Sequence, residues 1–232
     1  MLNFDAFEVL TFDCYGTLID WETGLGESLA PVFRAHGIRV APEKALELYG
    51  ECEAAAEAGE YREYTTVLKM VLDSIGARLG FTPTPAERDT FSLSVKDWPA
   101  FPDSPRALQA LKTKYRLGII SNIDDDLFAF SNQRLQVPFD WIITAKQVQS
   151  YKPSLKNFRA AFARIGVPPQ KILHVAQSLF HDIAPAQSLG LSTVWVNRRH
   201  HKPGFGATPL AHATPDLEVP DLRGLAATMG LL

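Results

Sequence analysis

Residues 8–18 read Glu8-Val9-Leu10-Thr11-Phe12-Asp13-Cys14-Tyr15-Gly16-Thr17-Leu18, a short apolar run that ends in an aspartate and a glycine-containing turn. The run Glu8–Phe12 is a strand candidate, and its near-continuous apolarity suits a strand covered on both faces, as in a parallel sheet. Four further segments have the same character: Leu117–Ile120, Asp140–Thr144, Ile172–Ala176 and Ser192–Val196. Helical spacing appears between them, with Phe158, Ala161, Phe162 and Ile165 at i, i+3, i+4, i+7 and a similar stripe at Leu108, Leu111 and Tyr115 after Pro105. The alternation predicts an α/β fold built on a Rossmann-like parallel sheet.

The rhythm breaks once. The interval from Phe12 to Leu117 is far longer than a crossover needs, and it is helical in pattern. Tyr64, Val67, Leu68, Val71, Leu72 and Ile75 form a strong amphipathic stripe; Ala45, Leu46, Tyr49, Cys52 and Ala56 form a weaker one, and Gly24–His36 a third. Pro83, Pro85, Pro99, Pro102 and Pro105 crowd the return path. The expected organisation is a core of residues 1–20 and 100–232 carrying a helical insertion, residues 21–99.

Ligands of an open parallel sheet collect beyond the carboxyl ends of its strands. The first strand runs into Asp13 and Thr17, the second into Ser121 and Asn122, and the third is followed by Tyr151-Lys152-Pro153. The fourth runs into Gln177-Ser178-Leu179-Phe180-His181-Asp182. Each residue alone is ordinary turn or capping chemistry. Two carboxylates, an ammonium and several hydroxyl and amide groups on one sheet edge point to a catalytic site.

The segments Phe12–Leu18, Ser121-Asn122, Tyr151–Pro153, Val175–Gly190 and Val194–Arg198 together resemble the motifs of the haloacid dehalogenase superfamily, specifically its type II 2-haloacid dehalogenase branch. The resemblance covers nearly the whole chain and implies the cap domain after the first motif. It further implies Asp13 as nucleophile, forming an aspartyl ester that water hydrolyses. Thr17 would orient Asp13, and Lys152 would keep it ionised. Asp182 would hold Lys152 and, with Ser178, position the hydrolytic water. Ser121 and backbone N–H groups near Tyr15 would bind the substrate carboxylate, and Asn122 would help cradle halide.

Departures from the superfamily's phosphatases sharpen the choice of reaction. Those enzymes resemble Asp-x-Asp at the first motif, the second Asp being the proton donor; Tyr15 stands there in this chain. A phenol with a reference pKa of about 10 is a poor donor at neutral pH, and general acid–base help is worth roughly 10²–10⁴ in rate. Halide leaves without a proton, so carbon–halogen displacement loses nothing. Ala176-Gln177 replaces the Gly-Asp that helps to hold Mg²⁺, which disfavours a metal. The expected substrate is a small carboxylate, without a cofactor; Mg²⁺ belongs only to the alternative of a same-fold phosphatase, and a non-catalytic binder is the other alternative.

Departures from the dehalogenases themselves fall at three places. Leu179 stands where that branch has an asparagine and Phe158 where it has a tyrosine, and Gly50 falls near the arginine that cradles halide. Arg62 is the nearest cap cation able to substitute, with pairing to a neighbouring glutamate as the plain alternative. His181 is read as a replacement water-positioning group, or else as a cap of the helix beginning there. Trp141, Phe128 and Phe130 read as apolar wall, and Cys14 as packing.

The 232 residues include 46% hydrophobic and 21% charged, with 15 glycines and 16 prolines, ordinary values for a globular chain. A balance of 23 basic against 26 acidic side chains gives a net charge of −3, with no footprint for nucleic acid or an anionic membrane surface. Arg198–Lys202 reads as a solvated loop. Gly24-Leu25-Gly26 lacks dinucleotide-fingerprint spacing, and two cysteines are too few for a disulfide scaffold. The opening residues lack a basic signal-peptide region, and no apolar run nears the roughly 18 residues of a spanning helix. A cytoplasmic protein is expected, with cap helices available for a homodimer.

Overall fold

The computed structural model describes residues 2–204 and 206–232. Five strands form where the apolar runs fall: β1 (Val9–Phe12), β2 (Arg116–Ser121), β3 (Trp141–Thr144), β4 (Ile172–Ala176) and β5 (Ser192–Val196). A sixth, β6 (Leu217–Val219), completes one parallel sheet in the order β3-β2-β1-β4-β5-β6. β6 was not anticipated: it is three residues long, exposes Glu218 and closes an edge, so it lacks the apolar run of a central strand. All four side chains of β1 and all five of β4 are buried, as double-sided covering requires.

From β1 the chain builds outward to β3, then crosses back to β4 on the other side. β1 and β4 therefore flank the point where the strand order reverses, the place in such sheets where a crevice opens beyond the strand ends. The crossovers are α5 (Ser104–Lys112), α6 (Asp125–Leu135), α7 (Ala145–Val148) with α8 (Leu155–Ile165), and α9 (Ala184–Ser188); α10 (Leu222–Thr228) follows β6.

Between β1 and β2 stand α1 (Trp21–Ala35), α2 (Pro42–Glu57), α3 (Tyr64–Leu79) and α4 (Pro85–Leu93). α4 corrects the reading of the prolines as a mere return path. Pro85 takes the first helical position, where its missing N–H costs nothing, and Thr84 and Glu87 form a reciprocal capping box. The chain enters and leaves this helical segment along one seam: the Asp20 N–H donates to Pro99 O (2.8 Å) and the Phe101 N–H to Leu18 O (3.0 Å). One hydrophobic core runs from the sheet into the insertion, containing Phe12 and Leu117 from the strands and Leu68 and Val71 from α3.

Candidate active site

Asp13 follows β1 directly and is 6% exposed. The next residues fold into a tight turn, with Cys14 O accepting from the Leu18 and Ile19 N–H groups. Gly16 sits at φ +88°, and a Cβ there would lie 2.9 Å from Trp21 Nε1 and 3.1 Å from Gln177 Oε1, so only glycine fits. The turn brings Thr17 back onto Asp13: its hydroxyl donates to Oδ2 at 2.7 Å and accepts from the Gln177 N–H at 2.9 Å. The opposite oxygen, Oδ1, accepts from Lys152 Nζ at 2.9 Å.

Lys152, 1% exposed, directs all three ammonium protons into protein acceptors: Asp13 Oδ1, Asp182 Oδ1 (2.7 Å) and Ile120 O (2.8 Å). Burial alone would strip its proton, but the two carboxylates outweigh burial and raise its pKa above the ordinary lysine value. Burial pushes Asp13 upward, with Lys152 and Thr17 opposing. Burial also works against Asp182, but Lys152 and His174 outweigh it and hold that carboxyl below the usual range.

His174 is a site residue that the sequence reading missed. It lies on β4 in register with Thr11, and its Nδ1 is 2.9 Å from the Thr11 hydroxyl while Nε2 is 3.0 Å from Asp182 Oδ1. With Nε2–H donating to Asp182, Nδ1 accepts from Thr11. Two polar residues paired across otherwise apolar, fully buried strands were the available signal.

Asp13, Lys152 and Asp182 form the floor of a small cavity of about 40 Å³, room for a few water molecules or a molecule of a few heavy atoms. Ser121 Oγ lines it, fully buried and without a hydrogen-bond partner among the described residues. Tyr15 lines it by its ring; its hydroxyl is 2.9 Å from Ser131 Oγ, and burial drives the phenol well above its ordinary pKa. Ser178 caps the π-helical turn Leu179–Ile183 by accepting from the His181 N–H (2.8 Å). The His181 ring lies 3.2 Å from Ser178 Oγ at Nδ1, and burial lowers its pKa to about 4, so at neutral pH it is an uncharged wall group.

The cavity roof comes from the insertion. Trp21 opens α1, and Glu53 and Glu57 lie one turn apart on α2, with Tyr64 beside them on α3. Glu53 Oε1 accepts from both Tyr49 (2.7 Å) and Tyr64 (2.5 Å), and burial, against those two donors, raises its pKa to about 7. Tyr49, Glu53 and Glu57 share one helix face at i, i+4, i+8, the pattern that could have marked this wall. A larger groove of about 530 Å³ lies between the end of α2 and residues 149–156 and shares Glu57, Lys152 and His181 with the cavity.

Two expected contributors are placed otherwise. Arg62 is exposed, donates to Glu60 O at 3.3 Å and lies outside the cavity lining; it sits on the short link before α3, where its backbone carbonyl accepts from Tyr151 (2.7 Å). Asn122 lines the cavity, but its amide accepts from the Lys152 N–H (2.7 Å) and donates to Lys152 O (3.0 Å) and Glu57 (3.1 Å). It is a clamp on the lysine loop, without a donor to spare for halide.

The Arg198–Lys202 run is likewise no solvated loop in its first half. Arg198 donates to Thr17 O and Asp103 and stacks on Phe101, and Arg199 joins Glu22 to Glu43. The chain beyond carries Thr208 to the cavity, where its hydroxyl donates to Gln177 Oε1 (3.1 Å). Phe128 is buried as expected, whereas Phe130 is exposed beneath Lys96, and Trp141 is half-buried against Arg116.

A family model for haloacid dehalogenase-like hydrolases matches residues 7–190. The chain belongs to that family. This hydrolase is 23% identical over 226 residues to the (S)-2-haloacid dehalogenase 4A of Burkholderia cepacia, across 92% of this chain and 93% of the relative. It is 34% identical over 100 residues to a glyceraldehyde 3-phosphate phosphatase of Methanothermobacter thermautotrophicus, across 42% of this chain and 44% of the relative. Among solved structures, the L-2-haloacid dehalogenase from Xanthobacter autotrophicus with chloropropionic acid covalently bound superposes with a TM-score of 0.80. That match, at 20% identity, spans 97% of this chain and 98% of the other. No helix among the described residues of this hydrolase is long and apolar enough to cross a membrane.

Proposed function

We propose that this hydrolase cleaves the carbon–halogen bond of a small 2-haloalkanoic acid through an ester of Asp13. The observation that carries the reading is Asp13 itself: a carboxylate held between Thr17 and Lys152 at a cavity floor, with the neighbouring phenol of Tyr15 turned to Ser131 and unable to serve as an acid. Such a site suits a leaving group that departs without a proton. The covalently bound chloropropionic acid of the Xanthobacter enzyme and the (S)-2-haloacid dehalogenase relatives support the same chemistry.

In the first step an Asp13 oxygen bonds to the α-carbon, and the halide leaves from the opposite side with the bonding electron pair. Ser121 Oγ–H, a fully buried donor in the lining without a partner among the described residues, receives the substrate carboxylate. Water then adds to the ester carbonyl; one of its protons ends on the 2-hydroxy acid and the other is released, restoring the Asp13 carboxylate. Asp182 Oδ2, buried and without a partner among the described residues, is the acceptor left for that water, since Oδ1 already serves Lys152 and His174. Lys152 and Thr17 hold Asp13 in line throughout.

The donor set does not fit Mg²⁺. Among the described residues no group of three or more acidic, histidine or cysteine side chains is placed to hold a metal ion. Gln177 stands where a second carboxylate would be needed, and Asp182 Oδ1 is bonded to Lys152. The chemistry is accordingly proposed without a metal. Halide release from chloro- and fluoroacetate and 2-chloropropionate, run beside a phosphatase screen with and without Mg²⁺, tests the reading. Turnover in heavy-oxygen water should label Asp13, and an unlabelled Asp13 after many turnovers would rule out the ester.

A further inference from the structure

The proposed substrate is an anion and its leaving group becomes one, yet the cavity has no cation to receive either. Lys152 has no free proton, His181 is neutral, and Arg62 lies outside. The insertion contributes carboxyl groups instead. A buried halide without donors would face a desolvation penalty of several kcal/mol, so the site needs donors of another kind.

Two uncharged ones are in place. Trp21 is 7% exposed and lines the cavity, with its indole Nε1 reaching over the Asp13–Thr17 turn, 2.9 Å from where a Gly16 Cβ would stand. That N–H has no hydrogen-bond partner among the described residues, and an indole nitrogen can only donate. Glu53 is the second. Both tyrosine hydroxyls bond to its Oε1, and Oε2 has no protein partner among the described residues. The two groups are joined through Tyr49, whose ring packs edge-on against Trp21 at 5.9 Å while its hydroxyl bonds to Glu53.

Building on the dehalogenase reading, we propose that Trp21 Nε1–H and a protonated Glu53 Oε2–H together form the halide subsite, neutral donors doing the work of a cation. The halide takes the carbon–halogen electron pair and rests against two hydrogen-bond donors; neither proton is transferred. Glu53 serves only while it carries its proton. The charged and titratable groups that face it are Tyr49 and Glu57 from α2, Tyr64 from α3, and Asp13 and Lys152 from the sheet edge. Burial and Asp13 disfavour a negative charge there, and the two phenols favour it. With the balance at about 7, the subsite weakens as pH rises through neutrality.

Bromide titration of the full-length protein tests this directly. The indole N–H resonance of Trp21, assigned by its absence in Trp21→Phe, should shift saturably with bromide at pH 6. The affinity should fall about 10-fold for each pH unit above 7 while binding stays measurable. Followed by calorimetry, since its own resonance is gone, Trp21→Phe should bind bromide about 10- to 100-fold more weakly than wild type, the worth of one hydrogen bond to a charged group. Glu53→Gln keeps an N–H donor at every pH, so its affinity should persist and lose the pH dependence; Glu53→Ala should lose affinity at every pH. No saturable shift in the wild type, or a wild-type affinity flat from pH 6 to 9, overturns the proposal, and the wild-type resonance decides the matter even if a variant fails to fold. Halide release measured alongside separates the two readings. Turnover without a Trp21 shift leaves the dehalogenase standing and removes this subsite. The predicted bromide behaviour without turnover of any haloacid keeps the anion site and removes the dehalogenase.

Discussion

Asp13 and Ser121 make opposite demands on the fold, and that difference is testable residue by residue. Asp13 is bonded on both oxygens by Thr17 and Lys152, so its carboxylate is both reactant and structural partner. Asp13→Asn keeps the shape, and Asp182 still holds the Lys152 ammonium. Turnover should fall at least about 10⁴-fold, as for other lost nucleophiles, with an unchanged circular dichroism spectrum and a folded thermal transition. Ser121 Oγ has no partner among the described residues, so the fold gains nothing from it. Ser121→Ala should leave the thermal midpoint equal or higher, because an unmet buried hydroxyl is removed. If the hydroxyl binds substrate carboxylate, KM should rise about 10- to 100-fold while kcat changes less, the expected loss of one hydrogen bond to a charged group. A stability loss with unchanged KM would assign Ser121 to the scaffold instead.

At the scale of elements, α2 and the chain after β5 decide how the cavity closes. Gly50 on α2 packs against Ala207, whose carbonyl oxygen would lie 2.4 Å from an added Cβ. Gly50→Ala should therefore push residues 206–208 off α2 and break the Thr208–Gln177 hydrogen bond, at the 1–3 kcal/mol typical of overpacking. Thermal unfolding and faster amide exchange in the 198–210 stretch would show it. The sequence placed Gly50 beside the expected halide-binding arginine; the structure fills that region with the crossing chain, so a side chain has no room there. The Gly50–Ala207 and Arg199–Glu22 contacts join residues more than 150 positions apart and carry no local periodicity, which is why the placing of Arg199 and Thr208 was not legible. The five strand runs and the helix stripes were legible, because burial on both faces or on one stripe imprints itself on neighbouring residues. The sheet-edge residues Asp13, Thr17, Ser121, Lys152 and Asp182 were legible for the same reason, each being fixed by the strand before it. Glu53 was less so: its spacing with Tyr49 and Glu57 was the one signal in the chain, and the packing of α2 over the sheet edge is what turns that face inward.

Taken as a whole molecule, the hydrolase closes one continuous core over a cavity lined by several titratable groups, and its stability must register their protonation. Glu53 has a pKa near 7 when folded against about 4.5 in a free chain. Over that window the folded state binds more protons than the unfolded one, so this group's contribution is complete below the unfolded value and falls as pH rises to 7. His181 acts in the opposite sense. Its pKa is about 4 when folded against about 6.5 free, so the unfolded chain binds more protons between those values and stability falls on acidification. The two terms nearly offset each other from pH 4.5 to 6.5, and single variants should expose them. The midpoint of Glu53→Gln relative to wild type should climb from pH 4.5 to 7 and stay level above. That of His181→Asn relative to wild type should climb as pH drops from 6.5 to 4. One pKa unit corresponds to about 1.4 kcal/mol, and 1 kcal/mol moves the midpoint of a domain of this size by about 2–4 °C, so each difference should reach several °C. Parallel midpoint curves for variant and wild type across this range would mean that the two side chains meet solvent in the folded protein, and that the insertion does not close over Asp13.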